Sequence, residues 1–293
     1  MGEWKIGVSS YSFSRLVKSK AMRQIDVVPK AKEMGFDLIE MSTFILEEGE
    51  TRENFAEKVR DECARNGIRI GNYTIGADFI NGSGGDLKAE IERVKGEVRV
   101  AAIMGSPGMR HDGTSGFAAQ VRRKRTFDDA LPRLVEGCRE ITLYAEQQGI
   151  RTMVENHGRF CQDSERVEKL INSVNCENFG VLIDMGNFLC VDEDPSLAVA
   201  RLAPYAFHVH AKDFIYKSGM MPSPGEGWFE TRNGNYLRGT VIGHGIVPVM
   251  QCLRLLKKAG YTGDLSIEFE GMEEPEKGIR AGFENLKRYA AMA

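Results

Sequence analysis

Paired cysteines are missing from this chain of 293 residues: Cys63, Cys138, Cys161, Cys176, Cys190 and Cys252 are scattered and form no C-x-x-C motif. That spacing excludes a zinc knuckle and a dithiol redox pair, and leaves most of the six as small core residues. No apolar run approaches the roughly 20 residues needed to span a bilayer, so no membrane partner is expected. The opening Met1-Gly2-Glu3-Trp4-Lys5 has no basic-then-apolar export pattern, and a reducing cytoplasm is the expected setting. An excess of one charge is missing too, because 39 basic and 42 acidic residues mix along the chain for a formal net charge of -3. Such a balance leaves no electrostatic footprint for a polyanion, so no nucleic acid is expected as a partner. The densest basic run, Arg122-Arg123-Lys124-Arg125, stands just before Asp128 and Asp129 and reads as the solvated opening of a helix. Linkers and low-complexity tracts are absent, which predicts one domain over residues 1–293. Whether that domain assembles into a homo-oligomer stays open.

What the sequence does contain is a repeat. Short apolar runs rich in β-branched residues are each followed by a polar turn and a longer stretch of helical periodicity, the alternation of βα units. The predicted strands cover 5–9, 38–41, 68–73, 100–103, 152–155, 181–184, 207–212 and 265–268. Asp194-Pro195 opens one of the helices between them, and Gly35, Gly67, Gly149 and Gly260 close four others. Eight such units in one α/β chain predict a closed (β/α)8 TIM barrel, which uses about 250 residues as one domain. An open doubly wound sheet is the alternative, less favoured because it seldom repeats eight regular units without an antiparallel edge. One interruption breaks the rhythm. Between Phe214 and Gly245, after the seventh strand, a Ser/Gly/Pro-rich stretch leads into 228–240, with Asn233-Gly234 at the centre of a hairpin. A connection this long at the carboxyl end of a barrel strand predicts a partial lid.

Four late strands each end on a metal-binding side chain. These are Glu155 in Val154-Glu155-Asn156-His157-Gly158, Asp184 in Ile183-Asp184-Met185-Gly186-Asn187, His210 in His208-Val209-His210-Ala211-Lys212-Asp213, and Glu268 in Ser266-Ile267-Glu268-Phe269-Glu270. A charge closing an apolar strand is costly to bury unless it is paired or metal-bound. Any one of the four reads as a strand-end charge satisfied by a nearby Lys or Arg. Four converging on one barrel mouth point to a shared cation. Three carboxylates and an imidazole suit one divalent ion such as Mn2+, Mg2+ or Co2+ and tolerate Zn2+, whereas a structural zinc site would be rich in thiolate. Ser–His–Asp and Gly-rich phosphate-loop patterns are absent, and nothing calls for an organic cofactor.

Taken in order, these segments, with Gly35-Phe36-Asp37-Leu38-Ile39-Glu40, Gly243-His244-Gly245 and Gly260-Tyr261-Thr262-Gly263, resemble the xylose isomerase-like barrel superfamily along the whole chain. The likeness is to its sugar-phosphate isomerase/epimerase branch in particular. It implies a sugar or polyol substrate and one divalent ion held by Glu155, Asp184, His210 and Glu268. It also implies that Glu155 and Glu268 move a proton on substrate carbon through an enediolate, as an isomerase or epimerase does. A metal-dependent lyase or dehydratase acting on a keto-sugar or inosose would use the same ligands and is the alternative. An abasic-site endonuclease of the superfamily would want a trinuclear zinc site, more than the five histidines here, and a basic DNA-facing surface. A non-catalytic sugar-binding barrel would have lost a ligand. The chain departs from many such epimerases at two places, with Asn187 where they carry His and Tyr216 where they carry Arg.

Other residues at the mouth follow from position. His157 lies two residues beyond Glu155, and Asn187 three beyond Asp184. Lys212 and His208 share a strand face with His210 at period two, with Lys212 the better placed. Arg110 and His111, read as following the fourth strand, are candidates to bind a hydroxylated or anionic substrate end. Glu40 closes the second strand and either hydrogen-bonds substrate or braces the mouth. His244, between two glycines, is expected to close over the ligand, and Glu270 reads as a rim carboxylate outside the ligand set. No Gly-rich helix start with a neighbouring Lys or Arg follows the last two strands, so the substrate is expected to be unphosphorylated.

Overall fold

Buried on both sides, the apolar runs pair in parallel, as strands do when helices cover them. The structure, a computed structural model, describes residues 4–293. Met1-Gly2-Glu3, part of the segment read for an export pattern, and the Arg123 side chain lie outside the described residues. The strands, in chain order, are β1 (Ile6–Ser9), β2 (Leu38–Met41), β3 (Arg69–Ile75), β4 (Gly108–His111), β5 (Arg151–Glu155), β6 (Phe179–Asp184), β7 (Ala206–Ala211), β8 (Asp213–Lys217), β9 (Phe229–Glu230), β10 (Tyr236–Thr240) and β11 (Leu265–Ile267). Eight of them close a parallel barrel in the order β1-β11-β7-β6-β5-β4-β3-β2. The helices are α1 (Ser14–Lys18), α2 (Val27–Glu33), α3 (Arg52–Asn66), α4 (Leu87–Met104), α5 (Phe127–Glu146), α6 (Ser164–Val174), α7 (Pro195–Leu202), α8 (Val249–Lys258) and α9 (Pro275–Met292). This is the (β/α)8 TIM barrel that the repeats predict.

The local signals work as physical caps. Thr51 accepts from the Asn54 amide at the start of α3, and Gly67, at φ 58°, takes the left-handed turn that ends it. Asp194 caps α7 with Pro195 in its first turn. Five of the six cysteines are buried and all six are free thiols. Among the described residues, no helix is long and apolar enough to cross a membrane.

Two expectations need correction. Residues 100–103 are not a strand but the last turns of α4, where Val100, Ala101 and Met104 pack inward before Gly105 ends the helix. The fourth strand is instead Gly108-Met109-Arg110-His111, whose polar composition hides it, because its guanidinium is satisfied inside the barrel. The basic run at 122–125 precedes a helix rather than opening it, since Thr126 caps α5, in a box with Asp129.

The long connection after β7 folds as a three-stranded antiparallel sheet, β8-β10-β9, at the barrel mouth. Asn233-Gly234 does turn the β9–β10 hairpin, with Gly234 at φ 81°. Phe214 and Phe229 from this sheet line the cavity below it.

Candidate active site

Strands β5, β6 and β7 and the residue after β11 bring Glu155, Asp184, His210 and Glu268 to one side of the barrel mouth. One potential ligand atom from each lies within 4.8 Å of the other three. The surroundings aim these atoms. Asn156 locks the end of β6, donating to the Asp184 carbonyl at 2.9 Å and accepting from its amide at 2.8 Å. The amides of Gly186 and Asn187 donate to Asp184 Oδ1 at 2.8 and 2.9 Å. Asp184 Oδ2 is thereby left buried with no hydrogen bond. On His210, Nε2 donates to Glu40 Oε1 at 2.8 Å, and the buried Nδ1 has no hydrogen-bond partner either. Nδ1 lies 3.7 Å from Asp184 Oδ2 and 3.7 Å from Glu268 Oε1. Buried polar atoms without partners are costly. Three carboxylates and an imidazole facing one another, two of them with orphaned donor atoms, fit a divalent cation.

Protein cations stand beside this cluster. Arg110 reaches Glu155 Oε2 at 2.5 Å and Asp112 Oδ1 at 2.9 Å. Lys212 Nζ lies 2.5 Å from Glu268 Oε2, 3.3 Å from Glu270 Oε2 and 3.2 Å from Asp184 Oδ2, this last without hydrogen-bond geometry. Asn187 joins the two halves, donating to Glu155 Oε1 at 2.9 Å and accepting from Lys212 at 3.3 Å. Burial alone would lower the proton affinity of Lys212, but Asp184 and Glu268 hold it well above the usual ammonium range. Burial would also lower His210, yet Glu40 and Glu268 raise it well above the ordinary imidazole range, so any cation bound at Nδ1 would have to displace a proton. For Glu155 burial pushes upward, Arg110 pulls down and Glu268 adds to the push, and the balance is a raised carboxyl.

A cavity of about 640 Å3 opens above these groups, and Arg110, Glu155, His157, Asn187, Lys212 and Glu268 all line it. The other expected residues lie elsewhere. His111 follows Arg110 on β4, so it points the opposite way, into the helix layer between Phe79 and Phe179 at 5.7 and 6.1 Å. Burial pushes it down to about 4. Glu40 and His208 sit beneath the cluster, not at its surface. His208 Nε2 meets Ser266 Oγ at 2.9 Å, and burial holds this imidazole at about 4. Glu40 accepts from His210 and does not line the cavity, so it reaches neither a substrate there nor the rim of the mouth. His244 is exposed and absent from the cavity lining. Its flanking amides, from Gly243 and Gly245, are tied to Asp213 Oδ2 at 2.8 and 2.9 Å. A side chain at position 245 would strike Asp213 Oδ1 at 2.2 Å, which explains the glycine. Tyr216 is exposed and does not line the cavity.

The sequence reading missed Asp112, Asn156 and Asp213. Asp112 accepts from His157 Nδ1 at 2.9 Å while holding Arg110. Asn156 was legible in principle, as the residue between Glu155 and His157. Asp112 was hidden with its strand. Glu270, set aside as a rim carboxylate, holds Lys212 and lines the cavity.

Comparison with known proteins places this architecture. The chain is 32% identical over 164 residues to the rhizopine catabolism protein MocC of Rhizobium meliloti, covering 53% of this chain and 49% of that one. It is 25% identical over 141 residues to inosose dehydratase 1 of Bacillus cereus (strain ZK / E33L), covering 47% and 46%. The match thus spans about half the length of these curated relatives. A xylose isomerase domain protein from Planctomyces limnophilus superposes with a TM-score of 0.75 at 19% identity, over 99% of both chains. The IOLI protein, solved with a zinc atom bound, gives 0.75 at 16% identity over 98% of both. The 3-keto-D-glucoside 4-epimerase YcjR of E. coli gives 0.70 at 15%, over 98% of this chain and 100% of that one. These three structures share the fold. The model of the xylose isomerase-like TIM barrel family matches residues 28–289, and the chain belongs to that family.

Proposed function

We propose that this chain is a divalent-metal-dependent isomerase or epimerase of a sugar or polyol, in which Glu155 and Glu268 move a proton on substrate carbon. One observation carries the reading: these two glutamates, one closing β5 and the other just past β11, meet in one cluster of potential ligands and open onto one cavity. Glu155, Asp184, His210 and Glu268 would hold the ion. When bound, Mn2+, Mg2+, Co2+ or Zn2+ supplies positive charge next to substrate oxygens that become negative as a neighbouring carbon loses its proton. Arg110 and Asn187 fix the direction of the Glu155 carboxylate, and burial raises its affinity for the proton it takes. Glu268 returns a proton to carbon from the opposite side, its carboxylate first taking that proton from the Lys212 ammonium 2.5 Å away. His157, Asn187 and Lys212 line the same cavity and offer hydrogen bonds to substrate hydroxyls. No fixed phosphate cradle is needed for this chemistry, in keeping with an unphosphorylated substrate.

A second reading, a dehydratase acting on a keto-sugar or inosose, is favoured by one contact. Lys212 Nζ, 2.5 Å from Glu268, stands ready to protonate a departing hydroxyl. The partial similarity to an inosose dehydratase points the same way. Incubating the Mn2+-loaded protein in deuterated water with ketoses, inosose and 3-keto-glycosides separates the two. Isomerase or epimerase action gives deuterium at carbon with no loss of water, and dehydratase action gives a product lighter by one water. If neither product forms with any of these compounds, or if a chelator leaves the rate unchanged, both readings fall.

A further inference from the structure

Asparagine followed by glycine is the most thermally labile pairing of the amide side chains, and the chain holds three such pairs: Asn66-Gly67, Asn81-Gly82 and Asn233-Gly234. The fold treats them differently. Asn66 is the last residue of α3, and its side-chain nitrogen donates to the Glu62 carbonyl and to Glu62 Oε1, both at 2.8 Å. The Asn81 side-chain nitrogen donates to Asp78 Oδ2 at 3.0 Å and to the Gly116 carbonyl at 2.7 Å. The Gly82 amide that follows it is held by the Asp78 carbonyl at 2.7 Å. Asn233 is exposed, and among the described residues only its backbone amide is hydrogen-bonded, not its side chain. The Gly234 amide reaches the Thr231 carbonyl at 3.2 Å, the long end of the normal range. A side chain at position 234 would meet nothing within 4 Å, so the space around this nitrogen is open.

The same turn fastens the sheet over the barrel mouth. Thr231 Oγ1 and Asn235 Nδ2 donate to Asp192 Oδ1, and the Asn233 amide donates to Asp192 Oδ2, each at 2.8 Å. Asp192 lies in the connection after β6, so one carboxylate ties the β9–β10 hairpin to the barrel. Phe229 of this hairpin lines the cavity.

We propose that Asn233 is a self-modification site: in the folded protein it converts to aspartate and isoaspartate, and the new carboxylate releases the hairpin from Asp192. The Gly234 nitrogen bonds to the side-chain carbonyl carbon of Asn233. Its proton goes to the side-chain nitrogen, which leaves as ammonia, and a cyclic succinimide remains. Solvent water then opens the ring at either carbonyl. Glycine permits the approach because no Cβ shields its nitrogen. Both products set a second carboxylate against Asp192, where like charges repel. Isoaspartate also adds a carbon to the backbone of a turn whose register depends on its length.

Prolonged incubation of the purified protein at mildly alkaline pH, followed by peptide mapping and isoaspartyl methyltransferase labelling, reads the three sites in one sample. Asn233 is expected to convert at least about tenfold faster than Asn66 or Asn81, whose amides must first break their hydrogen bonds. In urea the three rates should converge. Conversion of Asn233 no faster than that of the other two in the folded protein, or a lead that persists in urea, would overturn the proposal. Asn233→Asp supplies the product charge directly. Amide hydrogen exchange across residues 229–240 is expected to be at least about tenfold faster in this variant than in the parent, with the barrel strands unchanged. Asn233→Gln, whose longer side chain disfavours the ring and adds no charge, should exchange as the parent does. Parental exchange in Asn233→Asp, or equally fast exchange in Asn233→Gln, would show that the added charge does not release the hairpin.

Discussion

The Nε2–H of His210 donates to Oε1 of Glu40 across 2.8 Å, both groups fully buried, and this bond turns the other ring nitrogen toward Asp184 and Glu268. Asn72 donates to Glu40 Oε2 at 3.1 Å and steadies the brace. Burial alone would raise the Glu40 carboxyl, yet His210 and His208 hold it down at about 2, so it is an anion at neutral pH. A carboxylate behind a metal-binding imidazole fixes the tautomer and strengthens the donor. Glu40→Gln keeps the volume and removes the charge. Its expected effect is a loss of Mn2+ affinity of about 10- to 100-fold, read by equilibrium dialysis. Unchanged affinity would mean that His210 is oriented without help from Glu40.

Glu268→Gln is expected to lower the rate of solvent-deuterium incorporation by about a hundredfold or more, the usual contribution of a positioned acid or base. The circular dichroism spectrum should stay as in the parent, because Glu268 lies just past the end of β11 and is incompletely buried. A variant that exchanges deuterium at the parental rate would remove Glu268 from the chemistry.

Lys212→Met separates metal binding from catalysis. An ammonium beside the cluster opposes a dication by charge repulsion, so its removal should leave Mn2+ affinity equal or higher while turnover falls. The metal-free variant should also melt at a lower temperature, since Asp184, Glu268 and Glu270 lose the cation that separates them. Added Mn2+ should restore most of that loss by mass action, which thermal melts at several metal concentrations measure. Weaker Mn2+ binding in this variant would show that Lys212 organises the ligands instead of competing for them.

The clustering of Glu155, Asp184, His210 and Glu268 was legible because these residues close apolar strands, and Val181–Asp184 and Leu265–Glu268 carry that pattern plainly. Arg110 broke the rule. A buried guanidinium is compatible with a barrel interior only when carboxylates surround it, and Glu155 is distant in sequence, so β4 looked like a loop while the apolar end of α4 looked like a strand. The same error hid Asp112. His111 illustrates the limit of proximity arguments, since one step along a strand reverses the face. His244 looked like a lid residue because two glycines flank it, but those glycines serve the close approach of Asp213. Partners far apart in sequence supplied the physics in each case.

Asp112 sets the last expectation. Burial alone would raise its carboxyl, but Arg110 and His157 hold it at about 2, below the usual aspartate value of about 3.9. A group depressed in the folded state stabilises above its unfolded value and loses that contribution as pH falls through the folded value. The Asp112 contribution is therefore complete above about pH 4 and disappears toward pH 2, and it is on the order of 2 kcal/mol. His157 has the opposite sign. Burial lowers it, but its bond to Asp112 raises it above the ordinary imidazole value, so its contribution is full below about pH 6.5 and fades as pH rises. Asp112→Asn removes both. The stability deficit of this variant in urea titrations should be largest between about pH 4 and 6.5 and smaller on either side. A deficit that does not vary with pH would mean that Asp112 contributes packing alone, with no role for its charge in holding Arg110 against Glu155.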